Sequence, residues 1–345
     1  MTPTSRRFAV AALLVVIASL VYAPELHART VFLPAGSVDG LAGAIAAAGP
    51  GGTVFVRPGL HRESGTVTIT FPVSIVGARR SVIESTTSPG TTYPLVVDPS
   101  LHVLGTSGVT IRGLRLRPPV DTTGGCGVLV ENSPGTIVSA NRMTDYEFGV
   151  LVQNSDNVII KGNFIRVSRG WAADPPTIPE SDGIVVINGE SAQVLYNRVS
   201  DAIFGIFGSD RGGRMTGNIA HSSYIGIILC RAPEDSFLIS GVAVGSRVSG
   251  TEWNVSFNAS SDNLNDGYLV IDGSNHNLLS NNAAWSNGAY DIELAGDTER
   301  FGFLAPASFE NTVDVGFFTD LVIKDCGNNN TVNDDVVDTT VDPCF

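Results

Sequence analysis

The chain has 345 residues, 43% hydrophobic and 8% aromatic, with 38 glycines and 18 prolines. Its formal net charge is −13, and one unit more negative once residues 1–28 are set aside. That acidity argues against nucleic acid and anionic membranes as partners, and against long-range attraction of a polyanion unless a local basic groove or a bound Ca²⁺ overrides it.

Residues 1–28 have the pattern of a secretory signal peptide. Arg6 and Arg7 precede a short apolar stretch, Phe8 to Ala23, and Leu26-His27-Ala28 offers a cleavage site. The stretch is too short and wrongly flanked for a stable spanning helix. Ser5-Arg6-Arg7-Phe8 lacks the residue that usually separates Arg from Phe in a twin-arginine signal, so the general export route is favoured. The expected location is secreted or periplasmic, with no membrane insertion after cleavage. The expected divisions are a signal over 1–28 and one domain over 29–345. That domain comprises an N-terminal cap and first coils to 77, coils over 78–334 and a tail over 335–345.

Residues 39–48 predict a short helix, with Leu41, Ala44, Ile45 and Ala48 on one face, Asp39 as its cap and Gly49-Pro50-Gly51-Gly52 as its stop. Thr53-Val-Phe-Val starts the first predicted strand. The segment to Gly77 is expected to plug the end of a stacked core, because a bare solenoid end exposes apolar surface and strand edges. Further on, Leu114 to Arg117 alternates, which points Leu114 and Leu116 inward and Arg115 and Arg117 outward. That strip is read as a solvated face, with carboxylate binding as the alternative.

From Gly127 to Gly226 the sequence repeats. Gly127, Gly149, Gly183, Gly205 and Gly226 each open a run of apolar residues, at intervals of 22, 34, 22 and 21. Asn141, Asn163, Asn197 and Asn218 follow the first four at offsets of 14, 14, 14 and 13. Self-similarity just above 20 residues marks a stacked repeat. Val and Ile favour strands, whereas Gly, Asn and Ser favour turns, so each copy divides into three short strands. The prediction is an all-β, right-handed, single-stranded parallel β-helix of roughly ten coils with a short N-terminal capping helix. The recurring Asn is expected to form a ladder between coils about 4.8 Å apart, and to take the left-handed backbone of a sharp turn.

These copies resemble the repeats of the pectin-lyase-like superfamily, over roughly residues 39–334. The resemblance implies the fold and a carbohydrate partner. It implies no particular chemistry, because the known catalytic patterns are missing. The paired aspartates of polygalacturonase-like enzymes occur only as Asp334-Asp335 in the tail, without a Gly-His-Gly. The Trp-x-Asp-His and Arg-x-Pro-x-x-Arg patterns of pectate-lyase-like enzymes and the Asp-Pro-His of alginate-epimerase-like enzymes are also absent.

The long interval between Gly149 and Gly183 holds an inserted loop, about Gly170 to Ser181, with three prolines and Trp171. A second irregular stretch covers 231–253, and the repeat resumes at Gly267, with Asn258 and Asn281-Asn282 near the ladder position. On the strand after each Gly, the +1 and +3 residues should face the core. The outward +2 strip of Leu129, Leu151, Val185, Phe207, Ile228 and Leu269 is also apolar. Such a strip is expected to be covered, with an exposed groove for a sugar ring as the alternative.

The turn before that strand supplies the candidate site. Arg166, Asp182, Asp201 and His221 fall on three neighbouring coils, with Trp171, Tyr224, Glu147 and Asp145 nearby as candidate substrate contacts. Acid, base and cation together suit glycosidic hydrolysis, or proton abstraction with elimination. The alternative is a salt-bridge patch beside a turn. Cys126 and Cys230 lie four coil rises apart, roughly 19 Å at the strand spacing, too far for a disulfide. Cys326 and Cys344 flank a short tail and are expected to pair. No metal motif is visible, so no cofactor is expected, and Ca²⁺ has no ligand pattern to support it. The expected function is that of an exported, monomeric β-helix protein acting on a polysaccharide as lyase, epimerase or hydrolase. The alternative is a non-catalytic binder of glycan or protein at the surface or in the periplasm.

Overall fold

The computed structural model describes residues 28–86, 91–92, 95–96, 98–119, 125–167, 181–230, 250–300, 303–316, 321–333 and 340–344. Nearly all of the structure is parallel strand, in three sheets of 12, 9 and 11 strands. In one coil, Ile137–Ser139 lies in the first sheet, Arg142–Thr144 in the second and Phe148–Gln153 in the third. The next coil repeats the order with Ile159–Lys161, Phe164–Arg166 and Asp182–Glu190. Each strand pairs in parallel with its counterpart one coil on, as in Val128 with Val150 and Val150 with Ile184.

The in-and-out pattern of the third sheet follows the alternation of the sequence. Val128, Val130, Val150, Val152, Ile184 and Val186 lie in the main core. The outward strip of Leu129, Leu151, Val185, Phe207, Ile228 and Leu269 is buried too, inside a second apolar cluster on the other side of that sheet. The strip is therefore covered rather than an open groove. The repeated glycines sit where coils approach most closely: a Cβ on Gly149 would run into the carbonyl of Gly183 and the side chain of Ile165.

The asparagine ladder runs through six coils, at the turn from first to second sheet. Asn141, Asn163, Asn197 and Asn218 each donate backbone N–H and Nδ2 to Oδ1 of the next Asn at 2.9–3.2 Å, and the series continues through Asn258 to Asn282. The expected backbone is corrected by one residue. The left-handed conformation belongs to the residue before each ladder Asn: Ala140, Gly162, Tyr196, Gly217, Phe257 and Asn281. The ladder Asn stays in ordinary φ space so that its amide turns into the core.

The helix spans Leu41–Ala48 and buries Leu41, Ala44, Ile45 and Ala48. Its cap differs from the sequence expectation. Gly40 is the N-cap, and the free N–H of Leu41 donates instead to Oε1 of Glu63 at 3.1 Å. Asp39 turns away and accepts the Ser64 N–H at 2.6 Å. A strand missed from sequence, Thr30–Leu33, pairs with Gly52–Val56 ahead of the expected first strand. Helix and strand close the N-terminal end of the stack. Cys326 and Cys344 are disulfide-bonded with Cα atoms 5.2 Å apart, while Cys126 and Cys230 are buried and form no disulfide. No helix among the described residues is long and apolar enough to cross a membrane.

Candidate functional site

The turn from second to third sheet carries the residues singled out by sequence. Register stacks Thr144, Arg166, Ser200, His221 and Ser261 in one column at the end of the second-sheet strands. The chain then turns through left-handed residues, Asp145, Asp201, Ser222 and Asp262 in their respective coils. Asp tolerates that conformation better than most side chains, which accounts for its recurrence there.

The structure brings some of these residues together and separates others. His221 stands near Asp201, Asp262 and Arg198. Burial and the Arg198 charge lower its pKa, against the pull of the two carboxylates, so the ring is held neutral near pH 7. Its Nδ1 lies 3.1 Å from Ser222 Oγ, and its Nε2 is buried with no hydrogen-bond partner among the described residues. Asp201 accepts from Ser200 Oγ at 3.2 Å. Arg166 is two coils from His221, and its Nη2 donates to Asp145 Oδ1 at 3.1 Å on an exposed surface.

Asp182 is placed apart from that group. It begins the strand Asp182–Glu190, opposite Phe148, and is only 3% exposed. Its Oδ1 accepts the Phe204 N–H at 3.1 Å, so it shapes the start of the next strand. Tyr224 is half-buried against the outer apolar cluster, and Glu147 is half-buried in its turn. Trp171 and most of its loop lie outside the described residues. Among the described residues no group of three or more His, Cys, Asp or Glu is arranged to hold a metal ion.

A larger feature lies on the outer face of the second sheet. Its first column runs Leu60, Val82, Arg115, Arg142, Phe164, Arg198, Ile219, Ala259 and Ala283 in successive coils. The neighbouring column holds Arg62, Glu84, Arg117 and Arg166. Six arginines thus share one face of an acidic protein. Glu84 pairs with Arg62 at 3.2 Å and Arg117 at 2.8 Å, and Asp145 pairs with Arg166. Arg142 stacks on Phe164, 4.4 Å from its ring centroid. Arg115 and Arg198 have no carboxylate partner among the described residues. A groove of about 250 Å³ opens here, floored by Leu60 and Val82 and rimmed by Arg115, Arg117 and Arg142. Such a face holds fixed positive potential against a negative background.

Of these, sequence reasoning singled out Arg115, Arg117 and Arg166. A signal for two more was present: Arg142 and Arg198 each follow a ladder Asn directly, as Arg166 lies three residues after Asn163. Counting from the ladder puts all of them on the outward face of the second sheet.

The sequence matches the family model "Right handed beta helix region" over residues 99–282. No curated protein sequence matches it. Among solved structures, the A-module of the Azotobacter vinelandii mannuronan C-5 epimerase AlgE4 is similar at 16% identity and TM-score 0.60, over 91% of this chain and 100% of that one. The Streptococcus pneumoniae surface protein and adhesin PfbA is similar at 10% identity and TM-score 0.58, over 91% and 96%. The Dettilon tailspike protein is similar at 14% identity and TM-score 0.52, over 88% and 68%. At such identities the likeness is one of fold alone. The family match spans more than half the chain, and the three parallel sheets agree with it: the chain belongs to the right-handed β-helix family.

Proposed function

We propose that this protein is an exported β-helix that holds an acidic polysaccharide along the arginine face of its second sheet. The observation that carries this reading is the run Arg115, Arg142 and Arg198 beside Arg117 and Arg166, on adjacent coils about 4.8 Å apart. A polymer with a carboxylate on each sugar meets a guanidinium at nearly every coil, and the planar guanidinium suits bidentate carboxylate binding. Export rests on the pattern of residues 1–28. Similar folds occur in an enzyme named for epimerising mannuronan and in a protein named as an adhesin, so the fold accommodates both processing and binding.

Binding without turnover is the reading that the geometry favours over hydrolysis. A glycosidase needs two carboxylates facing the same bond. Asp182 is buried against Phe204, on the other side of the turn from Asp201. One observation favours a second reading, elimination or epimerisation: neutral His221 stands beside Arg198. Arg198 would neutralise a sugar carboxylate and acidify the adjacent C–H, and the imidazole would accept that proton once its buried Nε2 is uncovered; the C–H electron pair then forms the C=C bond as the β glycosidic C–O bond breaks, its oxygen taking a proton from water, or the carbon regains a proton from water on the opposite face.

The test is affinity electrophoresis and calorimetry on alginate, polygalacturonate and a neutral glucan, with the Arg142→Ala/Arg198→Ala double variant alongside. Binding to the two acidic polymers is expected to weaken steeply with salt and to fall about 10-fold or more in the variant. Equal affinity for the neutral glucan, or an unchanged variant, refutes the reading. Absorbance of unsaturated products in the same mixtures tests elimination.

A further inference from the structure

The surface changes character where the arginines stop. Past Arg198 the outward column continues as Ile219, Ala259 and Ala283, which carry no charge. At the corner leading into that stretch stand two exposed aromatics, Tyr196 at 60% and Phe257 at 63%. Each occupies the position immediately before a ladder Asn, two coils apart, about 10 Å along the axis. Tyr196 lies two residues before Arg198, at the edge of the arginine face.

Their backbone is the unusual part. The position before the ladder Asn is left-handed in all six coils, and Ala140, Gly162, Gly217 and Asn281 fill it in the other four. Tyr196 and Phe257 hold φ values of 54° and 55°. A bulky side chain in that region is rare and strained. Neither ring gains burial in exchange. The Tyr196 ring instead packs against the neighbouring coil, since a Cβ on Gly217 would overlap its Cδ1 and Cε1.

We infer that Tyr196 and Phe257 are two stacking platforms for pyranose rings, extending the arginine track beyond Arg198. The inference rests on the polysaccharide reading above and deepens it. The arginines take the carboxylates of one part of the chain. The platforms take the apolar ring faces of sugars further along, with Ile219 between them as a shallow apolar floor, 40% exposed. Exposed aromatic rings suit the C–H face of a sugar, and the two-coil spacing suits alternate residues of one polymer. Charge complementarity with Arg198 next to Tyr196 commits the site to an acidic polysaccharide.

The test uses Tyr196→Gly and Phe257→Gly in the full exported chain. Glycine fills this position in two other coils, at 162 and 217, and relieves the left-handed strain, so the melting temperature is expected to hold or rise. Affinity for alginate or polygalacturonate is expected to fall about 3- to 10-fold per variant. That loss should persist in about 0.5 M salt, where the arginine contribution is screened. Full affinity in both glycine variants, alongside a loss in Arg142→Ala/Arg198→Ala, overturns the platforms and leaves the arginine reading standing. The reverse pattern overturns the arginine reading and keeps the platforms. No binding of either polymer by the wild-type protein refutes both. A dimer of the wild type that dissociates in the glycine variants also overturns the platforms, because the rings would then serve self-association.

Discussion

Replacing Asn197 by Ala tests whether the asparagine ladder holds adjacent coils together. The Asn197 side chain accepts from the Asn163 N–H at 2.9 Å and Asn163 Nδ2 at 3.0 Å. It donates to the Ile160 carbonyl at 2.9 Å and Asn218 Oδ1 at 3.0 Å. Alanine removes all four bonds. Asn218 Oδ1 keeps the Asn197 backbone N–H, which is independent of the side chain. Asn163 Nδ2 keeps the Val138 carbonyl. The Asn163 N–H and the Ile160 carbonyl lose these partners in a buried turn. Each such group costs about 1–3 kcal/mol, so the substitution should destabilise by about 2–6 kcal/mol. The control is Asn254→Ala in the first sheet, an exposed Asn outside the ladder, expected to stay within about 0.5 kcal/mol. Urea unfolding followed by circular dichroism measures both, and hydrogen exchange should lose protection first at the Asn163 amide. Equal unfolding midpoints for Asn197→Ala and Asn254→Ala would refute the ladder as a source of stability.

Two further outcomes follow from buried groups. Asp210 is fully buried, its Oδ1 accepts the Gly189 N–H at 2.6 Å, and its Oδ2 has no hydrogen-bond partner among the described residues. Burial, with Asp156 and Glu190 nearby, raises its pKa to about 7. The folded protein thus keeps a proton that the unfolded chain releases near pH 4, so this group's contribution to stability falls as pH rises from about 4 to 7 and is level above. The loss amounts to about 4 kcal/mol at most. Asp210→Asn should flatten the urea midpoint across that window, and an unchanged pH profile would refute the assignment. Cys126 and Cys230 should resist thiol reagents in the native protein, because both are buried and burial raises both thiol pKa values. Two thiols should titrate after unfolding without reductant, and a peptide link joining residues 126 and 230 would contradict the coil register.

What the sequence determined by itself is what depends on period. A constant Gly-to-Asn offset specifies stacked coils, and alternation along a strand specifies which side chains face the core. Val128, Val150 and Ile184 therefore lie inside, with Leu129, Leu151 and Val185 on the opposite side of the same sheet. The disulfide partners Cys326 and Cys344 were legible because they flank a short tail, and spacing along the stack excluded a bond between Cys126 and Cys230. Tertiary structure decided what depends on orientation and on partners distant in sequence. Asp182 and Asp201 look equivalent as turn carboxylates, yet one is buried on the Phe204 amide while the other sits in a left-handed turn near His221. The helix cap passed from Asp39 to Glu63, because a carboxylate one coil away reaches the Leu41 N–H and the adjacent one does not. The arginine face needed the stack itself. Arg115, Arg142 and Arg198 are separated by 27 and 56 residues in the chain, and they share one column, Arg142 and Arg198 with Phe164 between them, only because each coil advances the surface by a strand spacing.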